Sequence, residues 1–99
     1  MAKLTIVYWR DIPAQIIVRE RRRTAKRELP LRFIEAIDMC AMKTGAAQSE
    51  DYLAQWRRGE PIEVSPDLET EAEKAAQKVE AEYTKERLVE LINQGGNEG

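Results

Sequence analysis

The chain contains no histidine and a single cysteine, Cys40. Imidazole is therefore missing as a zinc ligand and as the base of a nucleophilic triad, which excludes the usual structural zinc sites and the serine and cysteine triads. One cysteine forms no intramolecular disulfide, and Cys40 lies in an apolar helical pattern, the setting of a core residue in a reducing compartment. Apolar runs are short. Nothing approaches the roughly 18 residues needed to span a bilayer, and the first ten residues lack the apolar stretch of a signal peptide, so the expectation is a cytoplasmic protein with no membrane partner. GxxxxGK[ST] and GxGxxG are missing, and the only glycine pair, Gly95-Gly96, lies near the end of the sequence, which argues against a phosphate cradle.

What is present is charge. Of 99 residues 34% are charged and 42% hydrophobic, the balance of an ordinary folded domain. The net charge of −2 conceals an asymmetry: residues 10–32 carry eight basic and three acidic side chains, residues 60–99 four basic and eleven acidic.

Leu4, Ile6 and Tyr8 alternate with Thr5, Val7 and Trp9, the period of a strand with bulk on both faces. Asp11-Ile12-Pro13 is expected to break it, because Pro13 lacks an amide hydrogen and restrains its neighbour. A second strand follows over 14–20, Arg21-Arg22-Arg23 reads as an exposed hairpin tip, and Thr24–Leu29 as an edge strand protected by its charges. Pro30 opens a helix in which Phe33, Ile34, Ile37, Cys40 and Ala41 recur every three or four residues, and Gly45 closes it. Ser49 is read as the cap of a second helix running to Arg58, with Tyr52, Leu53 and Trp56 on its buried face. After a linker over 60–64, Ser65-Pro66 reads as the start of one long helix reaching about Asn93, with a thin Ala-rich stripe. The expected fold is α+β: a three-stranded, mostly antiparallel sheet, a two-helix unit on one face and a long C-terminal helix. In domain terms this is a compact β-β-β-α-α unit over 1–64, an acidic helix over 65–94 and a disordered tail over 95–99.

No residue set suggests catalysis, a cofactor or a metal. Asp67, Glu69, Glu71 and Glu73 are spread around a helix by their even spacing instead of converging. Two segments stand out as interaction surfaces. The first is Trp9-Arg10-Asp11 through Gln15, where tryptophan and arginine, the residue types that most often anchor interfaces, meet at a strand end; Trp56 with Arg57 and Arg58 repeats the pairing. The second is the basic run from Arg19 to Arg27, which holds Arg19, Arg21, Arg22, Arg23, Lys26 and Arg27 and is suited to an acidic protein surface or to nucleic-acid phosphates. The acidic isoelectric point and the lack of any RNP, KH or helix-turn-helix signature count against nucleic acid. The blander readings are a capped turn and a solvated hairpin. A protein partner is expected, with a second copy of the chain or nucleic acid as alternatives.

The stretches LTIVYWRDIPAQIIV, AKRELPLRFIEAIDMCAMKTG and YLAQWRRGEP resemble the small bacterial proteins grouped as virulence factors, related to a domain of conserved virulence factor C. The likeness spans about residues 3 to 61, with nothing contributed by the acidic helix beyond. The resemblance implies bacterial origin and an accessory or binding unit, since larger relatives join the module to repeat and scaffold-like domains. It also implies an association with one-carbon metabolism, in which the chain would assist a folate-dependent or corrinoid methyl-transfer enzyme. It supplies no catalytic residues.

Overall fold

A computed structural model describes residues 2–45 and 49–96. Three strands form an antiparallel meander: β1 (Ala2–Trp9), β2 (Ile12–Glu20) and β3 (Arg23–Glu28). Two-residue turns at Arg10-Asp11 and Arg21-Arg22 join them. The first residue of each turn adopts positive φ, 55° at Arg10 and 54° at Arg21, as tight hairpins require to match strand twist.

Pro13 does not break the sheet. It sits inside β2 beside an irregularity: Val7 faces Gln15 while Tyr8 faces Pro13, so Ala14 is an extra residue on its strand. A bulge is where a sheet tolerates a residue without an amide hydrogen, and it adds local twist.

Helix α1 (Leu31–Thr44) follows, with Pro30 at its N-cap and Gly45 in a left-handed C-cap. The second helix is shorter than its sequence suggests. α2 covers only Ser49–Ala54, and Trp56–Arg58 is a strand, β4. Ile62–Val64, expected in a linker, forms β5. Both lie antiparallel along the free side of β1, Trp56 opposite Trp9 and Val64 opposite Ala2, and between them the Gly59 amide donates to the Ile6 carbonyl at 2.8 Å. The physical reason is that β1 is apolar on both faces and central, so its second edge needs backbone partners. That demand outweighs the helical preference of a short segment containing a β-favouring tryptophan. Among the described residues the sheet has five strands, in the order β3-β2-β1-β4 with β5 also on β1.

The long helix is likewise divided, into α3 (Leu68–Glu82) and α4 (Lys85–Asn93). Asp67, not Ser65, caps α3 by accepting from the Thr70 amide, and Thr84 caps α4 by accepting from the Arg87 amide. An unbroken helix over 68–93 would run about 39 Å, the full length of a molecule measuring 40 × 28 × 23 Å. The break lets α3 lie across β2 and β3 while α4 packs on α1. The Ala-rich stripe is what brings α3 close to the sheet, with Ala72 and Ala76 buried between Leu68 and Val79.

One core gathers these elements: Leu4, Trp9, Ile12, Ile16 and Val18 from the sheet, Phe33, Ile37 and Cys40 from α1, Leu68, Ala72 and Ala76 from α3, and Leu88 and Leu91 from α4. Gly95 and Gly96, expected in a frayed tail, are instead held. The Gly96 amide donates to the Leu91 carbonyl and that of Gly95 to Ile92, the two bonds that close a Schellman cap on α4. Residues 97–99, the rest of the expected tail, lie outside the described residues.

Candidate functional site

Alternation along paired strands fixes which side chains share a face. On one face Leu4, Ile6, Ile16, Val18 and Ala25 lie under the helices; Leu4 and Ile6 line a groove together with Ala75 and Val79 of α3. The register places three transverse rows on the opposite face. Thr24, Arg19, Lys3 and Glu63 form the first, Lys26, Ile17 and Thr5 the second, and Glu28, Gln15, Val7 and Arg58 the third.

Lys3, Arg19, Lys26 and Arg58 are exposed on this face, with acids only at two opposite corners, Glu28 and Glu63. Its centre is apolar or weakly polar: Ile17 is 8% exposed, and Thr5, Val7 and Gln15 are half-buried. Next to the third row the α1 end of the sheet is closed by Ile34 and Trp56, and these side chains with Val7, Ala14, Gln15 and Glu28 line a cleft of about 250 Å³. The hairpin carrying Arg21 and Arg22 projects from the other end; both are exposed.

The candidate residues therefore separate. Gln15, Lys26 and Trp56 meet on or beside the open face, and Arg21 and Arg22 extend it. Arg23 pairs with Glu20 at 3.9 Å. Arg27 points to the helix side, its Nε 3.1 Å from the Glu73 carboxylate; the pair is half exposed, so it contributes under about 1 kcal/mol.

Trp9, Arg10, Asp11 and Arg57 form a knot at the first hairpin. Trp9 is completely buried, its indole N–H donating to the Tyr52 carbonyl at 2.9 Å with the two rings 5.8 Å apart. It offers no surface to a partner. The Arg10 guanidinium stacks 4.9 Å from the Trp9 ring centre and donates to the Gly95 carbonyl, and the Arg10 amide donates to Gln55. The Asp11 amide donates to the Gly96 carbonyl at 2.7 Å, while Arg57 donates to the Arg10 carbonyl and pairs with the Asp11 carboxylate at 2.7 Å. The bond donors that make arginine and tryptophan good interface anchors are here consumed in joining β1, β4 and the end of α4.

Cys40 lies under the same knot, and burial pushes its thiol pKa up against the opposing influence of Arg10 and Lys43. A raised thiol pKa means that the folded state resists losing the proton. Stability is therefore full below the unfolded thiol pKa of about 8.5 and declines as pH rises from there through the higher folded value. Tyr52, raised by burial and by Asp38, adds the same sign at higher pH. Cys40→Ala is expected to remove the part of the decline that begins near pH 8.5, measured as urea midpoints across the alkaline range. An unchanged slope would place the thiol in water.

Of the open-face cations, only Lys3 lies outside the segments singled out in the sequence, Arg19 opening the basic run and Arg58 following Trp56-Arg57; Lys3, Arg19 and Arg58 carry no local signal as a group. They converge only through register, although Lys3 and Arg19 do stand at outward positions of the two alternating strands.

A family model described as "Virulence factor" matches residues 7–92. The chain belongs to that family. The match runs on through β5, α3 and α4 to Ile92, beyond the expected limit near residue 61, as befits helices that complete the core. No curated protein and no solved structure matches the chain. Among the described residues no helix is long and apolar enough to cross a membrane.

Proposed function

We propose that this virulence factor domain is a non-catalytic interaction module that receives an acidic protein surface on the open face of its sheet. The observation that carries the reading is the patch itself: four exposed cations, Lys3, Arg19, Lys26 and Arg58, around a centre of half-buried Thr5 and Val7 beside buried Ile17. An apolar centre with a charged rim is the anatomy of a protein interface. Cations on the rim steer an oppositely charged partner and fix its orientation.

Nucleic acid fits the same face less well. Single strands are held on successive stacking platforms, yet Trp9 and Tyr8 belong to the buried knot and the helix side, no aromatic residue occurs in the three rows, and Trp56 beside the third row offers one ring where a strand needs several. Glu28 and Glu63 would also face phosphates directly. An acidic protein can match these two corners with cations of its own, whereas a uniform polyanion cannot.

The test is site-specific photocrosslinking in cells that make the protein, with the crosslinker at Thr5 and, as control, at Lys78 on the helix side. The expected result is a discrete acidic protein captured from Thr5 and not from Lys78. Reversing Lys3, Arg19 and Lys26 to glutamate should weaken capture roughly a hundredfold, at about 1 kcal/mol per rim charge, with stability changed by less than about 1 kcal/mol at such exposed sites. Capture that survives the reversals, or recovery of nucleic acid alone with steep salt dependence, overturns the reading.

A further inference from the structure

The cleft at the end of the open face has a chemistry opposite to the face around it. Its lining is largely apolar, from Val7, Ala14 and Ile34, with the Trp56 ring on one side and Gln15 and Glu28 as its polar groups. Glu28 is exposed, and among the described residues no ion pair engages it. Its strand is otherwise basic at Arg23, Lys26 and Arg27. Protection of a sheet edge does not explain the change of sign, because lysine or arginine at position 28 would protect it equally well.

Resting on the open-face reading, we propose that this cleft is the specificity pocket of the interface and takes an arginine side chain from the acidic partner. An arginine has the three parts the cleft matches. Its methylene stem suits the Val7, Ala14 and Ile34 lining. Its guanidinium plane suits an aromatic face, as Trp56 offers. Its forked N–H donors suit a carboxylate at Glu28 and an amide oxygen at Gln15. Trp56 is steadied by the Tyr52 ring, whose centre lies 5.9 Å away in a T-shaped arrangement. The surrounding cations add discrimination: Lys26 and Arg58 repel a basic segment that lacks acids at the right spacing. The pocket thus selects one arginine within an acidic surface, which sets the partner's register on the sheet.

The probe is N-acetyl-arginine-N′-methylamide, titrated into the full ¹⁵N-labelled chain, with the norleucine analogue as control for the stem alone. The two tryptophan indole signals give the readout. Trp56 and the Gln15 side-chain amide should shift saturably with the arginine probe, while Trp9, enclosed in the knot, stays still. Glu28→Gln should weaken binding at least fivefold, and the norleucine probe should bind no better to the wild-type chain than to that variant. Equal binding of both probes, no saturable shift at Trp56, or binding indifferent to Glu28→Gln overturns the pocket. Glu28→Gln leaves the four cations in place. Loss of the pocket with continued capture of an acidic protein from Thr5 therefore sinks this inference alone, and the reverse outcome sinks the open-face reading.

Discussion

Trp9→Ala is expected to cost about 3 to 5 kcal/mol of folding stability, the range for emptying a buried aromatic site. The side chain has no exposed surface, packs against Tyr52 and Ile12 beneath Arg10, and donates its indole N–H to the Tyr52 carbonyl. Removal leaves a cavity where β1, β4 and α2 meet, and it leaves the Tyr52 carbonyl with only the longer bond from the Gln55 amide, 3.4 Å. For a domain of this size each kcal/mol moves the melting temperature by about 4 to 8 °C, so the variant should melt well over 10 °C lower or fail to fold. Trp9→Phe keeps much of the ring and loses the hydrogen bond, and should cost about 1 to 3 kcal/mol. Urea midpoints at constant slope check both. A loss below about 1 kcal/mol for Trp9→Ala would mean that Trp9 is a surface residue and that the interface reading of this segment returns.

Trp9 also shows where the sequence stops being informative. Strand alternation marks it as one of three bulky residues on the side opposite Leu4, Ile6 and Tyr8, and composition alone cannot say whether such a residue meets solvent, a partner or another part of the chain. The cover comes from Tyr52 and Trp56, more than forty residues away. The meander, α1 with its Gly45 cap and the edge character of β3 were legible because each follows from local period and local caps. β4 was not, since three residues cannot outvote the helical pattern before them; only the vacant edge of β1 decides them. The break at Tyr83-Thr84 had a local signal in the capping threonine, outweighed by the continuing apolar stripe. The candidate surface divides the same way. Exposure of Arg21 and Arg22 was readable from charge alone, whereas the convergence of Lys3, Arg19, Lys26 and Arg58 depends on strand register.

Gly96→Val should be the other severe substitution, although it lies in a segment that reads as a polar tail. Gly96 has φ of 86°, a conformation in which a β-branched residue is strained by about 1 to 2 kcal/mol. A Cβ there would stand 3.1 Å from the Cys40 sulfur and 3.1 Å from Arg10 Cδ. Neither neighbour is free to retreat, because Cys40 is fixed in α1 and the Arg10 guanidinium is held between the Trp9 ring and the Gly95 carbonyl. Crowding of a packed site adds about 1 to 3 kcal/mol, giving an expected loss of about 2 to 5 kcal/mol. Gly45→Ala is the matched control. It too has positive φ, 76°, but among the described residues nothing lies within 4 Å of a Cβ built there, so it should lose only the backbone part, about 1 kcal/mol. Two readouts separate the mechanisms: urea midpoints for the total, and the rate at which a thiol reagent reaches Cys40 under native conditions. If the Gly95-Gly96 cap is a latch over the core, Gly96→Val should raise that rate far more than Gly45→Ala does. Equal rates and equal stabilities in the two variants would show that the contacts to Arg10 and Cys40 hold nothing in place.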